Sequence, residues 1–397
     1  VKDKLKQAVI GGNGGDGGIA VETVLPAIVV EQAGALVAKA TRTAPRTVVT
    51  RMGDGSTVEM TRDEIRRDII EGSEAAAVKA KILVLDESDV DYLVDMFCCT
   101  SRIWGVERGH EAVLSKDGGT NTLISSRLSC GVAAPIGRET AVRLFESAFA
   151  FDSMEVGHVD YSVKPSKFIV SIEQEHMELL QHTTILPLFY GFMPNLGLYY
   201  QPDGQFPNPS DLLPRGKIDE ARKTQEDALE DCYRDVVSQS KAMEGTGADA
   251  INFDTVASTG DAEFLATLRA CEEVSATTDT PVQISMASEM VLGFHGQLTY
   301  KGTRLAGLWP HQQMKMAEQA GASIFGPVVN NNSRKSCAWN IARAVTFVKA
   351  CTAEAKIPIH ANVGGGVGGV PMCEVSPLDI VSRASAAMIE VGKADGL

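Results

Sequence analysis

Short apolar runs recur along the chain at FIVSI (168–172), ILPLF (185–189), DAINF (249–253), VQISM (282–286), SIFG (323–326) and IPIHA (357–361), with LAGLW (305–309) a weaker member. Between them the apolar positions repeat at helical spacing over Asp219–Met243, Ala262–Ala276, His311–Gln319, Ser333–Ala355 and Pro377–Val391. The runs are short, rich in Ile and Val, and read as apolar on both faces, as strands of a parallel sheet covered by helices should be. Strand and helix alternating in this way predict an α/β protein, and the length of the alternating region suits a (β/α)8 TIM-type barrel of about 250 residues. A doubly wound open sheet is the alternative. The barrel is preferred because polar residues stand at the C-terminal end of nearly every predicted strand.

Upstream the pattern changes. TVVTRMGDGSTVEM carries Asp54-Gly55 between alternating residues, a hairpin signal. Thr61 and Glu64 form a capping box for the helix TRDEIRRDIIEG, and ESDVDYLVDMFCC predicts a second helix. The expected organisation is therefore a Gly-containing extension over 1–50, an N-terminal hairpin and helices over 51–144, and the barrel over 145–397. The run GGNGGDGG (Gly11–Gly18) lacks the Lys-Ser/Thr of a phosphate loop and reads as a linker.

The last residues, GKADGL, repeat the helix exit of KAMEGTGADAINF (241–253) and MAEQAGASIFG (316–326), each of which leads straight into a strand. A strand is expected to follow Leu397, so the barrel reads as C-terminally truncated. A barrel short of a strand leaves unpaired edges.

Composition narrows the partners. A net charge of −14 and a pI near 5.0 argue against nucleic acid, whose phosphates need clustered Lys and Arg. The longest uncharged run, TTILPLFYGFMPNLGLYYQP, is broken by Pro187, Pro194 and Asn195, whereas a spanning helix needs about 20 mostly apolar residues. No membrane span is expected. The eight Cys show no CxxC spacing and read as reduced thiols, which places the protein in the cytoplasm.

Chemistry in a barrel collects at the C-terminal strand ends. Those positions hold Glu173, Gln174, Tyr190, Asp254, Thr255, Glu289, His311, Gln312, Gln313, Asn330–Asn332, His360 and Asn362. Any one alone is more often a loop cap than a catalyst; their clustering at one predicted rim is the signal. No Lys falls at a strand end, so a Schiff-base lysine has no candidate. The loop NVGGGVGGVP (362–371) could bring backbone N–H groups to an anion, let a large partner approach closely, or serve only as a turn. The aromatic stretch FYGFMPNLGLYYQPDGQFPNP (189–209) could wall a small apolar cation or simply pack as a loop. His158 and Asp160 in GHVDY, with His311 and His360, would suit a metal-dependent hydrolase, although seven His in the chain are few.

Several longer motifs then become recognisable: RMGDG (51–55), MEVGHVDYSVKP (154–165), PLFYGFMPNLGLYYQPDG (187–204), GADAINFDT (247–255), LAGLWPHQQ (305–313), SIFGP (323–327), CAWNIARAVTFVKA (337–350) and VGGVP (367–371). Together, over roughly Arg51 to Leu397, they resemble the dimethylamine methyltransferases of methylotrophic methanogens. The resemblance implies a barrel enzyme that moves a methyl group from dimethylamine to the cobalt of a cognate corrinoid protein, the first step of methylamine-dependent methanogenesis. No cofactor is then bound directly. The corrinoid (cobamide) rides on the partner, whose D-x-H-x-x-G cobalt-ligating pattern has no match here. A homo-oligomer is expected.

The family carries pyrrolysine, encoded by an in-frame amber codon, after a segment like ASAAMIEVGKADGL, which puts that residue just beyond Leu397. Its ring imine would add the amine, a step that needs an acid and a base. Asp254, Glu289 and Glu173 are the candidate carboxylates, on their strand-end location. Tyr190, Gln312, Asn331 and His360 are candidate substrate-binding residues, and Gly364, Gly365, Gly366, Gly368 and Gly369 the candidate partner-binding surface. No metal site is assigned. The competing readings are the hydrolase, which requires stoichiometric zinc, and an inactive amber-terminated fragment. The codon after Leu397 is expected to be TAG with an open frame continuing through at least one strand and helix. Another stop codon, or no frame beyond it, would overturn the pyrrolysine expectation.

Overall fold

The computed structural model describes residues 47–105, 120–123, 134–137, 189–246, 248–257, 260–330, 333–371 and 376–397. Its strands are β1 (Val48–Arg51), β2 (Thr57–Met60), β3 (Thr120–Leu123), β4 (Ala134–Gly137), β5 (Phe189–Phe192), β6 (Ala250–Val256), β7 (Val282–Met286), β8 (Thr299–Tyr300), β9 (Thr303–Arg304) and β10 (Ile324–Pro327). The longer helices are α1 (Arg62–Ala80), α2 (Glu87–Cys98), α3 (Ile218–Ala242), α4 (Asp261–Thr277), α5 (Pro310–Gln319), α6 (Cys337–Glu354) and α7 (Leu378–Glu390). They divide into two compact units, Val1–Ala112 with Asn330–Ala353 and Ala361–Leu397, and Val113–Val329 with Glu354–His360. The expected boundary near residue 145 lies outside the described residues, as do the runs 168–172 and most of 185–189.

The first unit is built from local signals that the sequence states openly. β1 and β2 pair antiparallel around Asp54-Gly55, with Val48 opposite Met60 and Arg51 opposite Thr57. The capping box closes both ways: Thr61 N–H donates to Glu64 Oε2 at 2.8 Å, and Glu64 N–H donates to Thr61 Oγ1 at 3.2 Å. Arg383 on α7 is almost wholly buried, and its guanidinium donates to the carbonyls of Met96 (3.1 Å), Cys99 (2.8 Å) and Ser101 (2.9 Å). Cys99 is the C-cap of α2, where carbonyls run out of donors from the helix itself. Burial pulls the Arg383 pKa down, and the convergent carbonyls compensate the buried cation. Gly72 lets α1 close onto α6, since a Cβ there would stand 2.3 Å from the Trp339 carbonyl oxygen.

The second unit holds a parallel four-stranded sheet in the order β10-β7-β6-β5. Each strand pairs with the next one in sequence, apart from the small β8–β9 hairpin, and Ile359 adds a parallel bridge to Phe325 beyond β10. LAGLW is not a strand. It follows the β8–β9 hairpin as a turn, with Gly307 at φ 87°, and delivers Trp309 to the start of α5. IPIHA contributes only a bridge at Ile359 rather than a full strand.

The strands are not apolar on both faces, as their composition suggested. Phe192, Ile251, Phe253, Ile284, Met286, Phe325 and Ile359 form one fully sealed apolar face, with the Phe192 and Phe253 rings 6.2 Å apart. Helix α4 packs on β6 and β7 and α5 on β10, and this face is the apolar surface such packing needs. The opposite face carries Gly191, Asn252, Gln283, Ser285, Gly326 and His360, with Ala250 and Ile324 as its buried apolar members. Helix exits repeat as the sequence suggested: Gly245 and Gly321 turn at φ 82° and 86°, and Lys393 does so at φ 57°. After that third exit, Gly396 accepts a backbone hydrogen bond from Ala361 N–H at 3.0 Å. Among the described residues no helix is long and apolar enough to cross a membrane.

Candidate functional site

The polar face is wired as a chain of side chains. His360 Nδ1 meets Gln283 Oε1 at 3.4 Å, Gln283 Nε2 donates to Ser285 Oγ at 2.8 Å, and the Ser285 hydroxyl donates to Asn252 Oδ1 at 3.0 Å. Gln283 and Ser285 are each 5% exposed, so their polar groups depend on one another rather than on water. Gly326 on the neighbouring strand makes room: a Cβ there would lie 2.6 Å from Ser285 Oγ and 3.2 Å from the His360 carbonyl oxygen. His360 itself is anchored by its backbone N–H to the Phe325 carbonyl at 3.0 Å.

Asp254 stands two residues beyond Asn252, where β6 breaks register with β7 between Phe253 and Val256. One extra residue is accommodated there, a bulge of the kind that re-aims side chains. Thr255 and Ala257 both take left-handed backbone, φ 50° and 61°. For a β-branched residue this is a strained conformation costing about 1–3 kcal/mol. Its surroundings hold it in place. Asp254 Oδ1 accepts from Thr255 N–H at 2.8 Å, Ala287 N–H donates to the Val256 carbonyl at 3.0 Å, and the Ser288 hydroxyl reaches the Ala257 carbonyl at 3.3 Å.

The other sequence candidates are placed as follows. Glu289 is half-buried after β7, with its carbonyl accepting from Gln313 Nε2 at 3.3 Å. Gln313 is buried, ties down the Leu308 carbonyl as well at 2.8 Å, and its own Oε1 has no partner among the described residues. The Gln312 side chain is occupied locally, Oε1 accepting from Trp309 N–H at 3.0 Å as the cap of α5. His311 has Glu354 and Lys315 as its charged neighbours; burial pulls its pKa down, and its Nδ1 has no partner among the described residues. Tyr190 lies in β5, its backbone paired with Ile251. Glu173, Gln174, His158, Asp160, Asn331 and Asn332 lie outside the described residues.

In the other unit, Gly364 and Gly365 are half-buried and exposed, and a Cβ on Gly364 would find only Asn362 Oδ1 at 4.0 Å. Gly366, Gly368 and Gly369 are buried at φ 78°, 68° and 84°. Gly369 has a packing reason of its own, since its Cβ would lie 2.5 Å from Ile341 N in α6. The aromatic stretch packs on the helices: Tyr199 O–H donates to Asp235 at 2.7 Å, Gln205 to Asp231 at 2.8 Å, and Leu196 is fully buried. Among the described residues no three His, Cys, Asp or Glu side chains are grouped as metal ligands.

Missed by the sequence reading are Asn252, Gln283 and Ser285. Their signal was present in V-Q-I-S-M and A-I-N-F-D, where polar residues fall at every second position of runs taken as uniformly apolar.

A mixed α/β sheet with one sealed face, one hydrogen-bonded polar face and a strained bulge at a strand end has the anatomy of a ligand-binding or catalytic domain. The model of the family described as dimethylamine methyltransferase (Dimeth_PyL) matches residues 46–397, and the chain belongs to that family. Gly326→Ala is expected to push the Ser285 hydroxyl out of line and to destabilise the protein by about 1–3 kcal/mol. Urea unfolding checks it, and a variant as stable as the parent would show that the close approach at Gly326 is not needed.

Proposed function

We propose that this protein transfers one methyl group of dimethylamine to the Co(I) of a corrinoid carried by a separate protein. The observation that carries the reading is the family match, which runs through the whole polar-faced sheet. In the transfer the cobalt electron pair forms the Co–C bond, the C–N pair leaves with nitrogen, and that nitrogen takes a proton to depart as monomethylamine. An amine is a poor leaving group, so the site must manage protons: dimethylammonium loses one on binding, and the departing nitrogen regains one.

Asp254, at the bulge, and His360, on the side-chain chain, are the groups whose placement suits that work; Glu289 is the further carboxylate and Glu173 remains a candidate. Gln283, beside His360, is the amide placed to orient the site, whereas Gln312, a substrate-binding candidate from the sequence, has its Oε1 engaged in capping α5. Pyrrolysine, which the resemblance implies for the family, would supply an electrophilic imine; the residues described here would bind, orient and deprotonate the amine. Gly364, where a Cβ would meet only Asn362 Oδ1 at 4.0 Å, and the exposed Gly365 suit the approach of the corrinoid protein. The sheet is read as part of a (β/α)8 barrel. Four strands and the Ile359 bridge follow one another in sequence order without the reversal that a doubly wound sheet has at its switch point.

The test uses protein expressed from its own gene, with the cognate corrinoid protein reduced to Co(I) and dimethylamine as donor. The expected result is cobalt methylation with release of monomethylamine, and a fall of about 100-fold or more in kcat for Asp254→Asn. No dimethylamine-dependent methylation by the parent protein, or a hydrolytic activity abolished by chelation, would overturn the reading.

A further inference from the structure

The connections that leave β6 and β7 meet at the carboxyl-terminal edge of the sheet, and there the segment 293–297 is tied down from beneath. Asp261, at the start of α4, is fully buried, and its carboxylate accepts from two consecutive backbone N–H groups, His295 at 3.0 Å and Gly296 at 2.8 Å. The buried His295 ring adds a second fastening. Its Nδ1 accepts from Gln297 N–H at 3.3 Å, so Nε2 carries the proton and donates to Glu226 Oε1 at 3.1 Å. Gly296 takes the turn at φ 81°, and a Cβ on Gly293 would stand 2.8 Å from the Ala306 Cβ. A loop held in this way keeps its shape before any ligand arrives.

Two guanidinium groups lie against that loop. Arg222, in the second turn of α3, donates from Nε to the His295 carbonyl at 3.2 Å. Arg304, on β9, has its Nη2 3.8 Å from where a Gly296 Cβ would be, and the pairing of Arg304 with Thr299 on β8 fixes its backbone. Their charges are not spent elsewhere. Arg222 Nη1 has Asp219 at 3.8 Å, a fully exposed carboxylate whose pull is worth little. Among the described residues the Arg304 guanidinium makes no hydrogen bond or ion pair, and the carboxylates of Asp261 and Glu226 are committed to the loop. Both arginines line a cavity of about 530 Å³ whose wall includes Leu213, Ile218 and Phe294, large apolar side chains that stand exposed. In a chain of net charge −14 this is a local reversal of sign.

We propose that this cavity binds a phosphate monoester carrying an apolar group. A guanidinium offers a planar fork to phosphate oxygens, and two of them suit a dianionic head with three terminal oxygens; a monocarboxylate would fill only one fork. The His295 and Gly296 N–H groups are taken by Asp261, so recognition of the anion falls to the arginine side chains. Leu213, Ile218 and Phe294 cover the organic group and lose exposed apolar area to it. The position is one where α/β sheets bind ligands, outside the carboxyl ends of the strands. None of this depends on the dimethylamine reading, whose substrate is a cation.

Isothermal titration calorimetry of the whole protein with phenyl phosphate tests the site, with inorganic phosphate and benzoate as paired probes. Phenyl phosphate is expected to bind at one site, about 10-fold or more tighter than either of the others. Arg304→Gln should weaken it about 10-fold or more and leave the urea unfolding midpoint where it was, because that guanidinium holds no part of the described fold together. Phe294→Ala should weaken phenyl phosphate about 5-fold and leave inorganic phosphate unchanged. No binding of phenyl phosphate, or binding unmoved by Arg304→Gln, overturns the proposal. Inorganic phosphate held as tightly as phenyl phosphate overturns the part given to the apolar wall, and benzoate held as tightly overturns the choice of a phosphate.

Discussion

A parallel sheet covered by helices must present those helices with an apolar surface, and this sheet concentrates the demand on one side. Phe192, Ile251, Phe253, Ile284, Met286 and Phe325 meet it, and the reverse side, where Ala250 and Ile324 are the buried apolar members, has room for polar ones. That reverse side is free to carry Asn252, Gln283, Ser285 and His360. Buried polar groups are stable there because each finds a partner in the next, two to a strand on β7 and one on each flank. The chemistry the sheet can host depends on this separation of faces.

Space and strain complete the arrangement. Gly326 removes a side chain where the Ser285 hydroxyl must sit, and the bulge at Asp254–Thr255 turns the end of β6 out of its regular pleat. A left-handed threonine is tolerated because the Ala287 N–H and the Ser288 hydroxyl fasten the carbonyls on either side of Ala257. Strain of this sort persists where the surroundings over-determine it, and here they do so beside the Asp254 carboxylate.

Much of the scaffold was legible in the sequence, because its signals are local. The helix over 219–243 appears as Ile218–Ala242 and that over 262–276 as Asp261–Thr277; the Thr61–Glu64 box and the Asp54-Gly55 hairpin form as written. LAGLW misled because Leu, Ala and Trp suit a packed turn as well as a strand, and only tertiary context separates the two. The site was less legible. Asp254 and His360 were chosen for their strand-end positions, and they stand at the β6 bulge and just after the Ile359 bridge. Gln283 and Ser285 could not be chosen in this way, since one strand's alternation acquires meaning only when its register with β6 and β10 is known. Gln312 shows the converse: a polar side chain at a predicted rim whose amide serves its own helix.

The central claim is that the polar face receives the amine. A crystal structure of the protein soaked with dimethylammonium tests it most directly. The account predicts the cation on that face, with its nitrogen within hydrogen-bonding reach of the His360 ring or the Asp254 carboxylate. A well-ordered cation bound elsewhere, with the Asn252–Ser285–Gln283–His360 chain untouched, would contradict it.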